Sequence, residues 1–257
     1  MNAPPVLQPH WAAPPGVASW MTTRAGGHSR GPWASLNLGA SCGDDPSAVR
    51  ANRAVVESWV GAPVAWPQLQ HGARVLQVSP SMAGSALEPA DALWTRHAGL
   101  VLAVPVADCL PVLMCALDGC AVAAVHAGWR GLAAGVLEAM LDVWQRELGL
   151  KPGQVAVWLG PCIGPRRFEI GADVRQALGA AGAPDSRFVA RRRGDGSPGW
   201  LADLPGLARD RLQTCGVREV AGGHWCTVED GARFFSHRRD GVTGRMAGLV
   251  AMRARPA

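Results

Sequence analysis

Residues 100–131 read LVLAVPVADCLPVLMCALDGCAVAAVHAGWRG. Leu100–Val106 is a continuous apolar run rich in β-branched residues, the pattern of a strand buried on both faces. Val112–Leu117 is a second such run. Asp118-Gly119 then signals a two-residue hairpin, and Cys120–Val125 returns as a third strand. Gly131 to Leu148 follows as a helix, with Leu132, Val136, Leu137, Met140, Leu141 and Trp144 on one apolar face and Gly149 as its stop. A buried hairpin feeding an amphipathic helix excludes an all-helical chain. It also argues against a purely parallel, doubly wound sheet.

The remaining segments extend this reading. Asp45-Pro46 caps and opens a helix whose Val49, Arg53, Val56 and Val60 keep helical spacing to Gly61. Asp173–Leu178 and Leu204–Thr214 read as helices. Val155–Leu159, Val217–Val220, Arg233–Ser236 and Met246–Met252 read as strands. Residues 1–16 form an extended Pro-rich lead and residues 17–257 a single catalytic domain. The fold class expected is α/β with α+β character, a layered arrangement of mixed β-sheets flanked by helices.

Composition narrows the function. Of 257 residues, 32 are Gly and 20 Pro, 48% are hydrophobic and only 18% charged, the reverse of a disordered chain. A sizeable core and many defined turns follow. The longest apolar stretch, Gly99–Ala107, is far below the ~20 residues of a membrane span. The opening MNAPPVLQPHWAAPP has neither a basic n-region nor an apolar h-region, so no secretion signal is expected. Seven scattered cysteines then read as reduced thiols of a cytoplasmic protein. There are 24 arginines against one lysine, Lys151, a balance that GC-rich coding explains. The net charge of +5 and the Arg191-Arg192-Arg193 run carry no aromatic interleaving, zinc-finger spacing or helix-turn-helix, so nucleic acid is not an expected partner.

Three residues stand at strand ends or turns, where α/β folds present chemistry: His71 in Gln70-His71-Gly72, Cys109 in Ala107-Asp108-Cys109-Leu110-Pro111, and His126 in His126-Ala127-Gly128-Trp129-Arg130-Gly131. Two imidazoles and a thiolate are three zinc ligands with a fourth position left for water or substrate. The same trio without metal is a thiol nucleophile with a base. The sequence does not separate the two. Cys115 and Cys120 read as small core residues on the hairpin, and Cys42, Cys162 and Cys215 as turn neighbours. Cys226 has only His224 beside it. Arginines next to glycines or helix starts suit anions: Arg24 in Thr23-Arg24-Ala25-Gly26-Gly27, Arg130, and Arg238, Arg239 and Arg245 near Ser236 and Gly244.

These segments resemble a known family. Ala107–Val112 and His126–Gly131 are similar to the two signature motifs of the laccase-domain or polyphenol oxidase family, whose members are regarded as purine nucleoside phosphorylases with adenosine deaminase activity and include peptidoglycan editing factors. Ser35-Leu36-Asn37-Leu38-Gly39 with Asn52-Arg53, Gly160–Pro165 with Phe168–Gly171, and Phe235–Asp240 with Thr243–Met246 resemble its other blocks, covering nearly the whole chain. One departure stands beside the first histidine: the family usually has Gln two residues before it, and here Leu69-Gln70 precede His71.

The resemblance implies a single-domain α/β sandwich with mixed sheets and a zinc-capable site at His71, Cys109 and His126. It implies a monomeric enzyme acting on a nucleoside and phosphate. Arg24, Asn37, Arg130, Ser236 and Arg238 would contact substrate or phosphate. The alternative activity is amide cleavage that removes wrongly incorporated serine from a cytoplasmic UDP-muramic acid peptidoglycan precursor. A multicopper oxidase is not expected: His10, His28, His97, His224 and His237, the histidines outside the trio, are not paired at ligand spacing. Copper would enter the same trio only adventitiously.

Overall fold

The computed structural model describes residues 4–253 of the chain. It runs β1 (Val6–Leu7), β2 (Val17–Thr22), α1 (Pro46–Val60), β3 (Val64–Ala65), β4 (Val75–Gln77), β5 (Ala92–Thr95), β6 (Val101–Val106), β7 (Leu110–Ala116) and β8 (Val122–Ala127). Then follow α2 (Trp129–Ala133), α3 (Val136–Leu148), β9 (Val155–Leu159), β10 (Glu169–Ile170), α4 (Ala172–Ala180), β11 (Phe188–Arg192), β12 (Pro198–Ala202), α5 (Leu204–Thr214), β13 (Glu219–Gly222), α6 (His237–Asp240) and β14 (Met246–Met252).

Two mixed sheets carry the fold. One has the order β1-β2-β14-β6-β3, the other β13-β9-β7-β8-β5-β4, and a small third sheet is β10-β12-β11. Parallel pairs (β3 with β6, β4 with β5, β9 with β13) sit beside antiparallel ones. The strand period of two sorts side chains into layers. In β7, Leu110, Val112, Met114 and Ala116 face the helices, where they pack with Leu137, Met140 and Trp144 of α3 and Leu207 of α5. The alternate Leu113 and Cys115 face the other sheet, meeting Leu102, Val104, Met246 and Val250. The far side of that first sheet, through Ala103, Ala247 and Leu249, is closed by Val56 of α1 and by Leu36 and Leu38 of the loop before it. The result is a layered sandwich, helix on sheet on sheet on helix, as the sequence implies.

The ends of α1 follow the expected chemistry. Asp45 accepts a hydrogen bond from Ser47 N–H, Pro46 takes the first turn, and Gly61 closes the helix in the left-handed region at φ 66°. Four expectations are corrected. The Gly131–Leu148 helix is two helices, because Gly135 takes φ 81° and lets the chain turn between α2 and α3. The hairpin loop is not two residues: β7 ends at Ala116 and β8 begins at Val122, with Cys115 opposite Val122. Cys120 therefore sits exposed in the loop, its N–H donating to Asp118, and of the two hairpin cysteines only Cys115 is a core residue. Arg233–Ser236 is not a strand; Phe234 and Phe235 are both buried because a turn inserts consecutive side chains into the core. Within the Pro-rich lead, β1 pairs with β2 at the sheet edge.

Cys115 lies between the two sheets with no exposed surface. Burial pushes its thiol up to about 12, so it acts as a small hydrophobe. Cys115→Ala is expected to lower stability by about 1 kcal/mol with turnover unchanged. Chemical denaturation beside an activity assay checks this.

Candidate active site

Each member of the trio comes from a different connection. Cys109 sits where the chain leaves β6 in one sheet and enters β7 in the other. The crossing is sharp, and Asp108 takes φ 85° to make it. The Asp108 carboxylate is held from two sides, accepting from Thr227 Oγ1 at 2.5 Å and from Arg238 N–H at 2.6 Å. His126 lies in β8, opposite Pro111 of β7, and is 2% exposed. His71 tops the turn before β4 and is exposed, with φ 61°.

Asp91 gathers the two imidazoles, and the sequence reading missed it. Its residue neighbour Ala92 pairs with Val125, which sets Asp91 beside His126 across the strands. His126 Nδ1 donates to Asp91 Oδ1 at 2.9 Å, and His126 N–H donates to the Asp91 carbonyl at 2.7 Å. The same carboxylate accepts from His71 N–H at 2.9 Å and Gly72 N–H at 2.7 Å. One buried acid therefore fixes the His71 turn and orients the His126 ring, leaving Nε2 of His126 for the site. The signal lay in a lone carboxylate opening an apolar strand, Ala90-Asp91-Ala92-Leu93-Trp94.

The ligand atoms of His71, Cys109 and His126 all lie within 4.8 Å of one another. The two imidazole rings meet edge to face, centroids 4.8 Å apart. Two imidazoles and a thiolate, one imidazole backed by a carboxylate, are a donor set that could hold a metal ion and leave a coordination position open. Among the described residues this is the one cluster of such groups. Glycines make room for it. A Cβ at Gly128 would stand 2.8 Å from Cys109 Sγ, and one at Gly131 would stand 3.1 Å from the Gly72 carbonyl.

Burial alone would raise the Cys109 thiol, but the charge of His126 and hydrogen bonds from His126 and His71 outweigh it and bring it down to about 6. Burial likewise opposes charge on His126, but Cys109 and Asp91 raise it to about 9. Between those values the metal-free pair is thiolate and imidazolium. Cys120, by contrast, is raised to about 11 by partial desolvation in its loop and by Asp118. Metal-stripped protein treated with iodoacetamide at pH 7.5 is expected to label Cys109 before Cys120. The Cys109 rate should climb through pH 6 and then level off. Peptide mapping by mass spectrometry reads the order.

Two cavities open on the trio. The larger, about 930 Å³, is lined by His71, Cys109 and His126 and continues past Leu69 and Trp66 to Arg53 and Arg245. The smaller, about 280 Å³, is lined by His71 and Cys109 with Trp129, Arg130, Phe168 and Arg238. His237 borders both, its Nδ1 donating to the Gly241 carbonyl at 2.6 Å. Leu69, standing where the resembled family has Gln, lines the larger cavity, and so does Gln68.

The structure brings together only part of the expected anion set. Arg130 and Arg238 reach the smaller cavity. Arg24 lines neither cavity: it lies over the Phe235 ring and donates to the carbonyls of Ala34 and Gly231. Asn37 is fully buried and ties its loop, accepting from Gly39 N–H and Arg245 N–H. Ser236 is fully buried and caps α6 by accepting from Arg239 N–H. These three side chains hold the loops around the site, because their polar atoms are spent on the protein.

A family model described as multi-copper polyphenol oxidoreductase laccase matches residues 18–253. A protein of Pseudomonas aeruginosa named purine nucleoside phosphorylase is 47% identical over 246 residues, covering 95% of this chain and 97% of that one. The Escherichia coli purine nucleoside phosphorylase YfiH is 44% identical, covering 95% and 98%. Among solved structures, YlmD from Geobacillus stearothermophilus superposes with a TM-score of 0.90 at 33% identity, covering 99% of this chain and 98% of that one. A Neisseria meningitidis protein gives 0.88 at 43% identity, covering 97% and 99%. With the motif residues converging on one site and the match running nearly from end to end, this chain belongs to the multi-copper polyphenol oxidoreductase laccase family.

Proposed function

We propose that the protein is a purine nucleoside phosphorylase that also deaminates adenosine, with zinc held by His71, Cys109 and His126. The observation that carries the reading is the trio itself, braced by Asp91 and open to two cavities of unequal size. The names of the relatives point to the same chemistry. Zinc is favoured over copper redox chemistry on the count of ligands: a multicopper oxidase needs a second histidine-rich cluster, and the described residues hold one such group. The cysteines are all free thiols, as a cytoplasmic enzyme would keep them.

The larger cavity accommodates the nucleoside and the smaller one the phosphate. Arg130 and Arg238 supply guanidinium forks to the phosphate; neither is in an ion pair with a carboxylate among the described residues. In phosphorolysis a phosphate oxygen bonds to C1′ of the ribose as the C1′–N9 bond breaks. The electron pair leaves with the purine, which takes up a proton. His237 borders both cavities and is the side chain assigned to deliver it. Asp91 keeps the His126 ring oriented throughout. Zinc, when bound, supplies an activated water for the exchange of the adenosine amino group for oxygen.

The test incubates zinc-loaded enzyme with adenosine and phosphate. Adenine with ribose 1-phosphate, and inosine with ammonia, are the expected products, and a chelator should suppress the inosine. If none of these forms at high enzyme concentration, the reading fails.

A further inference from the structure

The larger cavity also has an arginine pole, built on Leu38-Gly39. Arg53 of α1 donates from Nε and Nη2 to the Leu38 carbonyl at 3.1 and 3.0 Å. Its guanidinium stacks on Trp66, 4.4 Å from the ring centroid. Leu38 N–H in turn donates to the Arg245 carbonyl at 3.0 Å. Arg245 Nη1 donates to the carbonyls of Thr243 and Gly244 at 2.8 and 3.0 Å. A Cβ at Gly39 would stand 2.5 Å from Arg245 Cγ, so the path of this side chain over the loop requires glycine.

Both guanidiniums are thus fixed by backbone carbonyls, which carry no charge to neutralise them. Among the described residues, Arg53 Nη1 and Arg245 Nε and Nη2 have no hydrogen-bond partner. Neither forms an ion pair among the described residues, and no Asp or Glu lines the cavity. Glu57, one helical turn beyond Arg53, accepts from Trp66 Nε1 at 3.5 Å and is the acid whose charge acts on Arg53. Two pre-set arginine forks in a concave wall suit a phosphoryl group. At about 930 Å³ the cavity is near the upper end of small-molecule sites, with room for more than a nucleoside. A ligand seated against the trio shares this cavity with both arginines.

We propose that Arg53 and Arg245 bind a phosphoryl group carried by the nucleoside, so that the ligands of this site include purine nucleoside 5′-phosphates. The proposal rests on the reading of the trio as a nucleoside site. The phosphoryl group could instead be free phosphate, the co-substrate, and the test separates the two sources.

Zinc-loaded protein without phosphate is titrated calorimetrically with inosine and with inosine 5′-monophosphate. The monophosphate is expected to bind at least about tenfold tighter. In Arg245→Gln that ratio should fall toward one, with Arg245→Lys intermediate. Because the ratio is taken within one protein preparation, partial misfolding does not move it. KM for inorganic phosphate in inosine phosphorolysis is measured on the same variants. Equal binding of the two ligands by the unmodified protein overturns the proposal and leaves the nucleoside reading standing. A raised phosphate KM in Arg245→Gln with the ligand ratio unmoved also overturns it, assigning the pole to the co-substrate. Failure of both ligands to bind removes the nucleoside reading and the proposal with it.

Discussion

Cys109→Ala is expected to abolish nucleoside turnover, by roughly a thousandfold or more, in a protein that remains folded. Two arguments converge. As a metal ligand, Cys109 is one of three, and two imidazoles alone leave a site too poor in donors to hold zinc firmly. As a nucleophile, it is the thiol in the cluster that is brought down to about 6 and so ionises near neutral pH. Either chemistry ends without it. The structural cost is small, because the side chain is half-buried and its loss removes one sulfur from the edge of a cavity rather than from the core. A melting curve close to that of the unmodified protein, with adenine and inosine production lost, is the expected pair of results. Turnover within tenfold of the unmodified protein would sink the assignment of the trio. Comparison with Cys115→Ala, where stability should move and turnover should not, separates chemistry from packing.

How far the sequence could carry this reading depends on the kind of signal each segment holds. Val155–Leu159, Leu204–Thr214 and Met246–Met252 form the elements expected at those limits, because an uninterrupted apolar run or a capped amphipathic repeat belongs to the segment itself. β2 and β5 gave no such signal. Val17–Thr22 mixes Ser, Trp and Thr into its apolar positions, and its burial comes from β14 pairing with it across the chain. The break at Gly135 and the turn at Phe234-Phe235 are tertiary decisions: the first lets α3 settle on the sheet, the second drops two aromatic rings into the core between the sheets. The trio was legible because its glycines and prolines mark it. Gly128 is where a Cβ would collide with Cys109 Sγ. What holds the trio was not legible, because Asp91, Asp108 and Thr227 act across strand pairs and loops that sequence spacing does not reveal. The arginines divide by the same rule. Arg24 looked like an anion ligand beside its glycines, yet its guanidinium is engaged by carbonyls more than 200 residues away in one case, Gly231.

The Asp108 network gives the C-terminal third of the chain a part in the site. Thr227 and the N–H of Arg238 grip the Asp108 carboxylate from the far end of the sequence. Thr227 N–H also donates to the Cys162 carbonyl, and Ile163 N–H donates to the Asp108 carbonyl. The backbone conformation at Asp108 that aims Cys109 is therefore set by three segments distant in sequence. Arg238 is fixed at its backbone by Asp108 and donates from its guanidinium to the carbonyl of Glu169 at 3.1 Å. The same hydrogen bonds that position the thiol thus position one arm of the proposed phosphate clamp.

Asp91→Asn should produce the largest combined effect of any change outside the trio. The native carboxylate accepts from the His126 ring, from His71 N–H and from Gly72 N–H, and its side chain is fully buried. An amide keeps the shape but has one acceptor oxygen, so its NH₂ must face at least one of these donors. A loss of about 2–4 kcal/mol in stability is expected, since a buried donor is left unmatched and the charge facing His126 is gone. Metal affinity and turnover should each fall roughly 10- to 100-fold, because the imidazole loses the partner that orients it and raises its basicity. The pH dependence fixes the cause. Burial pushes the Asp91 carboxyl up, but the hydrogen bonds from His126 and the turn amides outweigh it and hold it below the usual carboxylate range. A carboxyl held low when folded contributes stability above its unfolded value, near 4, and loses that contribution as pH falls through the folded value. The stability gap between the unmodified protein and Asp91→Asn should therefore be full at pH 6 and shrink on acidification below about 4. Denaturation midpoints recorded across that range test it: a gap constant down to pH 3 would show that Asp91 acts by shape alone, with no role for its charge in holding His126.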